Sequence, residues 1–136
     1  MLTLNRLAPV LLAFFAAGSL SLPAQAADID GNWASDASVC SKVFVKQGAR
    51  VSFATDAELY GGGLIIEGKR VTGSFQKCTI KSMHDGGAEI HLIASCSTGI
   101  MLQDVRVVVK ITGGNQITLS SAEPVKMEVS YFRCTL

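Results

Sequence analysis

The segment "VRVVVKI", residues 105–111, decides the fold class of this chain. Every second residue in it is a valine or an isoleucine: Val105, Val107, Val109 and Ile111. The charged residues Arg106 and Lys110 fall on the other side of the alternation. A period of two is typical of a β-strand with one face buried and one face in water.

The same alternation recurs in two other segments. In "VKMEVSYFR", residues 125–133, one side carries Val125, Met127, Val129, Tyr131 and Arg133. In "AEIHLIASC", residues 88–96, the predicted inward residues are Ala88, Ile90, Leu92 and Ala94. Glu89 and His91 are predicted to face water, because they take the alternate positions.

Short turn sequences separate the predicted strands. They are Glu67-Gly68-Lys69, Asp85-Gly86-Gly87, Gly113-Gly114-Asn115 and Glu123-Pro124. The strands between them are predicted at residues 30–35, 50–55, 59–67, 70–82, 88–97, 101–111, 116–120 and 125–134. Eight such strands with glycine turns predict an all-β antiparallel meander that closes into a small barrel, with a β-sandwich as the alternative. One short helical turn is expected near residue 40.

The N-terminal residues 1–26 have the pattern of a cleaved signal peptide. Arg6 is the only charge, an apolar run follows, and Ala24-Gln25-Ala26 fits the small-x-small rule of a signal-peptidase site. The apolar run is shorter than the roughly 20 residues that span a bilayer, which disfavours a membrane anchor. We therefore expect a single domain at residues 27–136, located in the periplasm or secreted, with no membrane span in the mature chain.

The charge of the predicted mature chain excludes one class of partner. Removal of Arg6 leaves 11 basic and 11 acidic residues, since the full chain has 12 Lys and Arg and 11 Asp and Glu. These charges are scattered along the sequence, with no basic tract. Nucleic acids bind clustered cationic surfaces, so the sequence predicts no nucleic-acid partner.

The four cysteines predict two structural disulfides. They are Cys40, Cys78, Cys96 and Cys134. An even number of cysteines in an exported chain favours disulfide bonds, and a zinc site would need closer ligand spacing such as C-x2-C. Two equal spacings and the similar segments "VTGSFQKCTI" and "MEVSYFRCTL" favour the pairs Cys40–Cys78 and Cys96–Cys134, one of three connectivities. The same likeness suggests a duplication of two four-stranded halves.

The sequence offers no recognisable set of catalytic residues. His84 lies in a predicted turn and His91 on a predicted wet face, and a G-x-S-x-G nucleophile motif is absent. No pair of carboxylates stands out as a general acid and base. We therefore expect a non-enzyme, with no catalytic residues, no metal ligands and no cofactor.

Three residues at the two ends of the predicted domain suggest how the barrel closes. The only tryptophan, Trp33, follows Gly31 at the start of the first strand, and the parity of the last strand places Arg133 on the face of Val129 and Tyr131. The first and last strands of a closed barrel are neighbours. We therefore predict that Trp33 is packed near Arg133, in a cation–π contact, and is not an exposed ligand anchor.

Gly31, Trp33 and Arg133 make the chain resemble the lipocalin-like (calycin) β-barrels, which pair a G-x-W on the first strand with an arginine near the last. Among exported bacterial members, it is similar to small periplasmic inhibitors of secreted metalloproteases. That resemblance implies a β-barrel and an inhibitory activity delivered by an N-terminal arm. The chain departs from those inhibitors in its four cysteines and in an arm of only six residues, "ADIDGN".

The remaining functional hypotheses concern binding. A protein-binding or inhibitor-like module would use loops at one barrel end, such as "TDAELYGGG", residues 55–63, with Tyr60, or "CSTGIML", residues 96–102. The apolar triplet Ile100–Leu102 would anchor an interface if it were exposed. The alternatives are a carrier of a small apolar ligand in the barrel lumen and a purely structural envelope protein. The sequence alone assigns no binding residue.

Overall fold

A computed structural model describes residues 28–121 and 126–136. The predicted signal peptide, its cleavage site and the predicted turn at Glu123-Pro124 lie outside these residues. The prediction that Val125 faces inward falls outside them as well.

Eight antiparallel strands form a closed barrel, and two further strands form a separate hairpin. In chain order the ten strands are β1 (Gly31–Ala34), β2 (Phe44–Gln47), β3 (Arg50–Phe53), β4 (Gly63–Glu67), β5 (Arg70–Gly73), β6 (Lys77–Asp85), β7 (Glu89–Ser97), β8 (Leu102–Thr112), β9 (Gln116–Ser121) and β10 (Glu128–Cys134). Around the barrel the order is β1-β10-β9-β8-β7-β6-β5-β4, with β4 pairing back to β1. The predicted fold class, an antiparallel eight-stranded meander barrel, is confirmed.

The predicted helical turn near residue 40 is also present. A 3-10 turn at Ala37–Val39 runs directly into the helix α1 (Cys40–Val43). Asp36 caps the 3-10 turn, because its carboxylate accepts hydrogen bonds from the backbone N–H and the hydroxyl of Ser38, both at 2.7 Å. A second 3-10 turn, Ala57–Tyr60, leads into β4.

Two of the predicted strands are wrong. The predicted number of barrel strands is still eight, because one predicted strand lies outside the barrel and another is in fact two strands. Residues 50–55 were assigned to the barrel, but β3 pairs only with β2 in a hairpin outside it. Residues 70–82 were predicted as one strand, but a turn after Gly73 divides them into β5 and β6. The backbone N–H of Gly73 donates to the carbonyl of Gln76 at 2.8 Å and reverses the chain. This reversal explains why Val71 and Cys78, on opposite parities, face each other in register.

The barrel interior holds the larger apolar core. Its buried members are Ile29, Trp33, Leu64, Ile66, Ile80, Ile90, Leu92, Val109 and Ile117. The inward parities predicted for β7 and β8 hold, except that Ala88 is exposed just before β7 begins. On the last strand Tyr131 packs against the core, but Met127 and Val129 are exposed, contrary to the prediction. Both lie at the barrel end where β10 starts.

A smaller apolar core lies outside the barrel wall. Its buried members are Ala34, Val43, Phe44, Ala57, Ile65 and Cys134. The segment between β1 and β4 thus folds back over the outer surface of these strands instead of adding a strand to the barrel. Gly63 permits this approach, since a Cβ at that position would collide with the Trp33 carbonyl and the Phe44 ring.

The disulfide class is as predicted, but the predicted pairing is wrong. The bonds are Cys40–Cys134 and Cys78–Cys96, and the described residues contain no free cysteine. Cys78 and Cys96 are direct neighbours across β6 and β7, with Cα atoms 4.0 Å apart. Cys40, in the segment outside the barrel, meets the end of β10. The first bond joins the two proposed halves and the second links neighbouring strands across their boundary, so the pairing no longer supports a duplication.

Candidate functional site

One end of the barrel is closed by Trp33 and Arg133. The two residues are direct neighbours across β1 and β10, and the Arg133 guanidinium carbon lies 4.3 Å from the centroid of the Trp33 ring. Trp33 is only 1% exposed. The predicted contact is therefore present, and Trp33 is not available as a surface anchor. Gly31 adopts φ +143°, and a Cβ there would lie 2.7 Å from an Arg133 nitrogen, so glycine makes room for the guanidinium.

The Arg133 side chain also binds the chain segment that precedes β1. Its guanidinium donates hydrogen bonds to the carbonyls of Asp28 and Asp30, and to the carbonyl of Gly114 in the β8–β9 turn. The Trp33 indole N–H donates to the Ile29 carbonyl at 3.0 Å. These bonds hold residues 28–30 across the barrel end.

The barrel lumen contains a small apolar cavity of about 110 Å³. Its walls include Leu64, Ala94, Val105 and the Cys78–Cys96 disulfide, and Gln76 is the one polar side chain among the cavity's described lining residues. Sites for drug-sized ligands occupy roughly 300–1,000 Å³. The lumen therefore has space for a ligand of only a few heavy atoms.

The opposite end of the barrel carries exposed apolar side chains, here termed the apolar rim. Its members are Leu59, Tyr60, Phe75, Ile100, Met101 and Leu102. The most exposed are Ile100 at 93%, Leu59 at 79%, Phe75 at 77% and Leu102 at 76%. Side chains of this size at neighbouring loop tips are typical of a surface that binds a partner.

The structure brings both loops that the sequence singled out to this same end. The Ser35 hydroxyl, just beyond β1, donates to the Tyr60 carbonyl at 3.4 Å. Gly62 is next to Ser74 in the β5–β6 turn, since a Cβ on Gly62 would lie 2.7 Å from the serine hydroxyl oxygen. An open groove of about 480 Å³ then separates the β5–β6 turn from the start of the β7–β8 loop, at Ser97–Gly99.

Phe75 belongs to the apolar rim, and sequence reasoning missed it. Phe75 falls within the predicted strand of residues 70–82, whereas it projects from the tip of the β5–β6 turn. The clash of parities between Val71 and Cys78 was the available signal. A turn between the two residues brings these opposite parities onto one face.

The tip of the β7–β8 loop is held by local hydrogen bonds. The Thr98 N–H donates to the Met101 carbonyl at 2.9 Å, and the Met101 N–H donates to the Thr98 hydroxyl at 3.2 Å. Ile100 lies within this turn and projects outward. On the neighbouring β5–β6 turn, the Ser74 hydroxyl oxygen is buried without a hydrogen-bond partner. Ile100 thus projects from a hydrogen-bonded turn.

Among the described residues, the Asp36 carboxyl and the Tyr131 hydroxyl have shifted pKa values, and neither group belongs to the apolar rim. Hydrogen bonds from the Ser38 backbone and side chain lower the pKa of the Asp36 carboxyl. Burial raises the pKa of Tyr131, because ionisation would place a charge against the barrel core.

Comparisons with known proteins identify no family for this chain. No family model, no curated protein and no solved structure matches it. Within the described ranges, no helix is long and apolar enough to cross a membrane. The chain is thus characterised by its fold, a disulfide-bonded, closed eight-stranded antiparallel β-barrel.

Proposed function

We propose that this protein is an exported, non-catalytic binding module that contacts another protein through its apolar rim. The observation that carries the proposal is the exposure of Phe75, Ile100 and Leu102 on neighbouring turns of one barrel end. Burial of apolar surface contributes roughly 25 cal/mol per Å² to association. A few large side chains at the centre of an interface commonly supply most of the binding energy.

The Cys78–Cys96 disulfide supports a rigid binding surface. It joins β6 and β7 at the barrel end that carries the rim. Cys78 lies three residues after Phe75, and Cys96 lies two residues before Thr98, so the bond sits at the base of both turns. A surface that is ordered before binding loses less conformational entropy on association, which favours affinity.

Export is proposed from two observations. The two disulfides favour an oxidising compartment. Residues 1–26 have the pattern of a signal peptide. Together they favour the periplasm or the extracellular space.

We propose that the chain is similar to lipocalin-like inhibitor barrels in its fold but uses a different contact surface. The closed eight-stranded barrel and the contact between Trp33 and Arg133 support it. In the inhibitors that the chain resembles, an N-terminal arm enters the protease. Here Arg133 binds the carbonyls of Asp28 and Asp30 and holds this segment against the barrel. The apolar rim, at the other end, is therefore the proposed contact surface.

A small-ligand carrier is the second candidate, and the lumen cavity of about 110 Å³ favours it. The two candidates make opposite predictions for one substitution. Ala94 is buried against the cavity, so Ala94→Leu should fill it and abolish uptake of a small apolar ligand. The same substitution should leave binding through the apolar rim unchanged. A structural envelope protein would need neither property.

The test of the rim proposal uses the exported protein as bait in periplasmic extract or culture medium, followed by affinity measurement with the purified partner. The double variant Ile100→Ser, Leu102→Ser should weaken binding at least about tenfold, as expected for central interface residues. Met83→Ser is the matched control, because Met83 is 47% exposed but lies near the opposite barrel end. Equal binding by the double variant and the control would contradict the proposal.

A further inference from the structure

The two histidines of the chain meet on the outer face of the barrel. His84 on β6 and His91 on β7 are direct cross-strand neighbours. The alternation of β7 directs Ile90 and Leu92 into the barrel, so His91 and its partner face outward. Side chains paired in this way have Cβ atoms about 4.5–5.5 Å apart. The sequence separation of seven residues concealed this pairing.

A carboxylate and an open groove accompany the histidine pair. Glu89 is on the same face of β7, with its Oε2 3.9 Å from the Nε2 of His91, and both side chains are more than half exposed. His84, His91 and Arg106 line an open groove of about 420 Å³ on the barrel wall. The imidazoles are therefore accessible to a solute.

We propose that His84 and His91 form a two-ligand site for a divalent late transition-metal ion, such as Zn²⁺ or Ni²⁺. Imidazole nitrogen suits these metals, which it binds at about 2.0–2.1 Å. Two ligands on one tetrahedral ion have nitrogens about 3.3 Å apart, within reach of imidazoles on directly opposed strand positions. This site is separate from the apolar rim and independent of the proposed function.

Glu89 is proposed as a secondary ligand that reaches the ion by rotation of its side chain. Among residues 28–121 and 126–136, no three His, Cys, Asp or Glu side chains are close enough to hold a metal ion together. The two histidines are therefore the primary ligands, and water completes the coordination. Rotation of the exposed Glu89 side chain would bring a carboxylate oxygen to the ion or to one of its water ligands.

The expected affinity is moderate. Two ligands provide about half of the binding free energy of a four-ligand structural zinc site, which corresponds to a Kd of about 1–200 µM. The Arg106 guanidinium in the same groove opposes a bare cation, whereas Glu89 offsets this charge. The proposed site therefore responds to the free metal concentration around the protein and does not hold a permanent structural ion.

The experiment is a titration of the exported protein, prepared without a histidine tag, with ZnCl₂ and NiCl₂ by calorimetry. One ion should bind, and the imidazole resonances of both histidines should shift in NMR spectra. His84→Gln or His91→Gln should weaken binding by about tenfold or more, because a single imidazole then remains. Glu89→Gln should weaken it by up to about tenfold through loss of the neighbouring carboxylate.

Asp104→Asn is the matched control for Glu89→Gln. It removes the same charge from an exposed position of β8, and Asp104 pairs with Ser95, away from the histidines. The metal affinity of the Asp104→Asn variant should equal that of the wild type. Because both histidines are exposed, their variants should keep the wild-type Tm without metal, and metal should raise the Tm of the wild type and of Asp104→Asn but not that of the histidine variants. Absence of binding at about 1 mM metal, or binding unchanged in both histidine variants, would overturn the proposal.

Discussion

Substitution of Trp33 and Arg133 tests most directly whether the contact between these two side chains closes the barrel. Trp33→Ala should lower the free energy of unfolding by about 3–5 kcal/mol, the range for truncation of a large buried aromatic residue. A decrease in this range is expected because Trp33 is 1% exposed and its indole N–H donates a hydrogen bond to a backbone carbonyl. The loss comprises apolar burial, the cavity left behind and one unpaired carbonyl.

Arg133→Ala should cost less, about 2–3 kcal/mol. The guanidinium donates three hydrogen bonds to carbonyls and stacks on Trp33, but the residue is only partly buried, so solvent competes for these contacts. The cation–π part contributes about 0.5–2 kcal/mol. Arg133→Lys should recover less than half of the loss, since an ammonium cannot reproduce the planar arrangement of donors.

The assay is urea unfolding with the disulfides intact. Far-UV circular dichroism serves as the signal, because it also reports on variants without tryptophan. The double-mutant cycle of Trp33→Ala and Arg133→Ala should show coupling of about 0.5–2 kcal/mol. Arg106→Ala is the matched control, because Arg106 is an exposed arginine on the barrel wall and should change stability by less than about 0.5 kcal/mol. Additive effects at Trp33 and Arg133 would refute the view that their contact closes the barrel.

The disulfides should differ in their contribution to stability. For sequence separations of 94 and 18, loop-closure entropy gives about 4.7 kcal/mol for Cys40–Cys134 and about 3.2 kcal/mol for Cys78–Cys96. Serine replacement of each pair measures this order, and non-reducing peptide mapping should recover these two pairs. The intact mass of the exported protein should correspond to loss of the first 26 residues, whereas a full-length mass in a membrane fraction would contradict the signal peptide. Burial raises the pKa of Tyr131 in the folded protein. The contribution of Tyr131 to the free energy of unfolding is therefore complete below the ordinary tyrosine pKa of 10.0 and is lost as pH rises through the higher folded value. Tyr131→Phe should therefore flatten the alkaline loss of stability, and an unchanged alkaline profile would contradict this assignment.

The barrel was predictable from the sequence because its signal is local. The alternation in β8 places Val107 and Val109 on one face, and this pattern requires no knowledge of the neighbouring strands. The hairpin of β2 and β3 was not predictable in the same way. Its apolar residues, such as Phe44, bury against the outer wall of a barrel that exists only after the chain has folded.

The candidate site was only partly predictable for the same reason. The loops containing Tyr60 and Ile100 could be named, but their meeting at one barrel end depends on strand order and register. Cys78 and Cys96 bond because register makes them direct neighbours across β6 and β7, whereas the equal sequence spacings carried no information about contact. The histidine pair follows from that same register.

The Cys40–Cys134 bond also determines how this protein responds to a pulling force. A load applied before Cys40 and beyond Cys134 passes through the sulfur atoms and leaves nearly all of the barrel unloaded. Of the described strands, β1 alone precedes the bond, so force can peel this strand from β4 and β10 but cannot extend the other strands. Reduction of this bond alone would release about 76 residues, because the nested Cys78–Cys96 bond still closes 18 of the 94, and the contour length would increase by about 250–270 Å at full extension. In a single-molecule force trace, the oxidised protein should therefore show one short extension step, and the long step should appear only after a reductant is added.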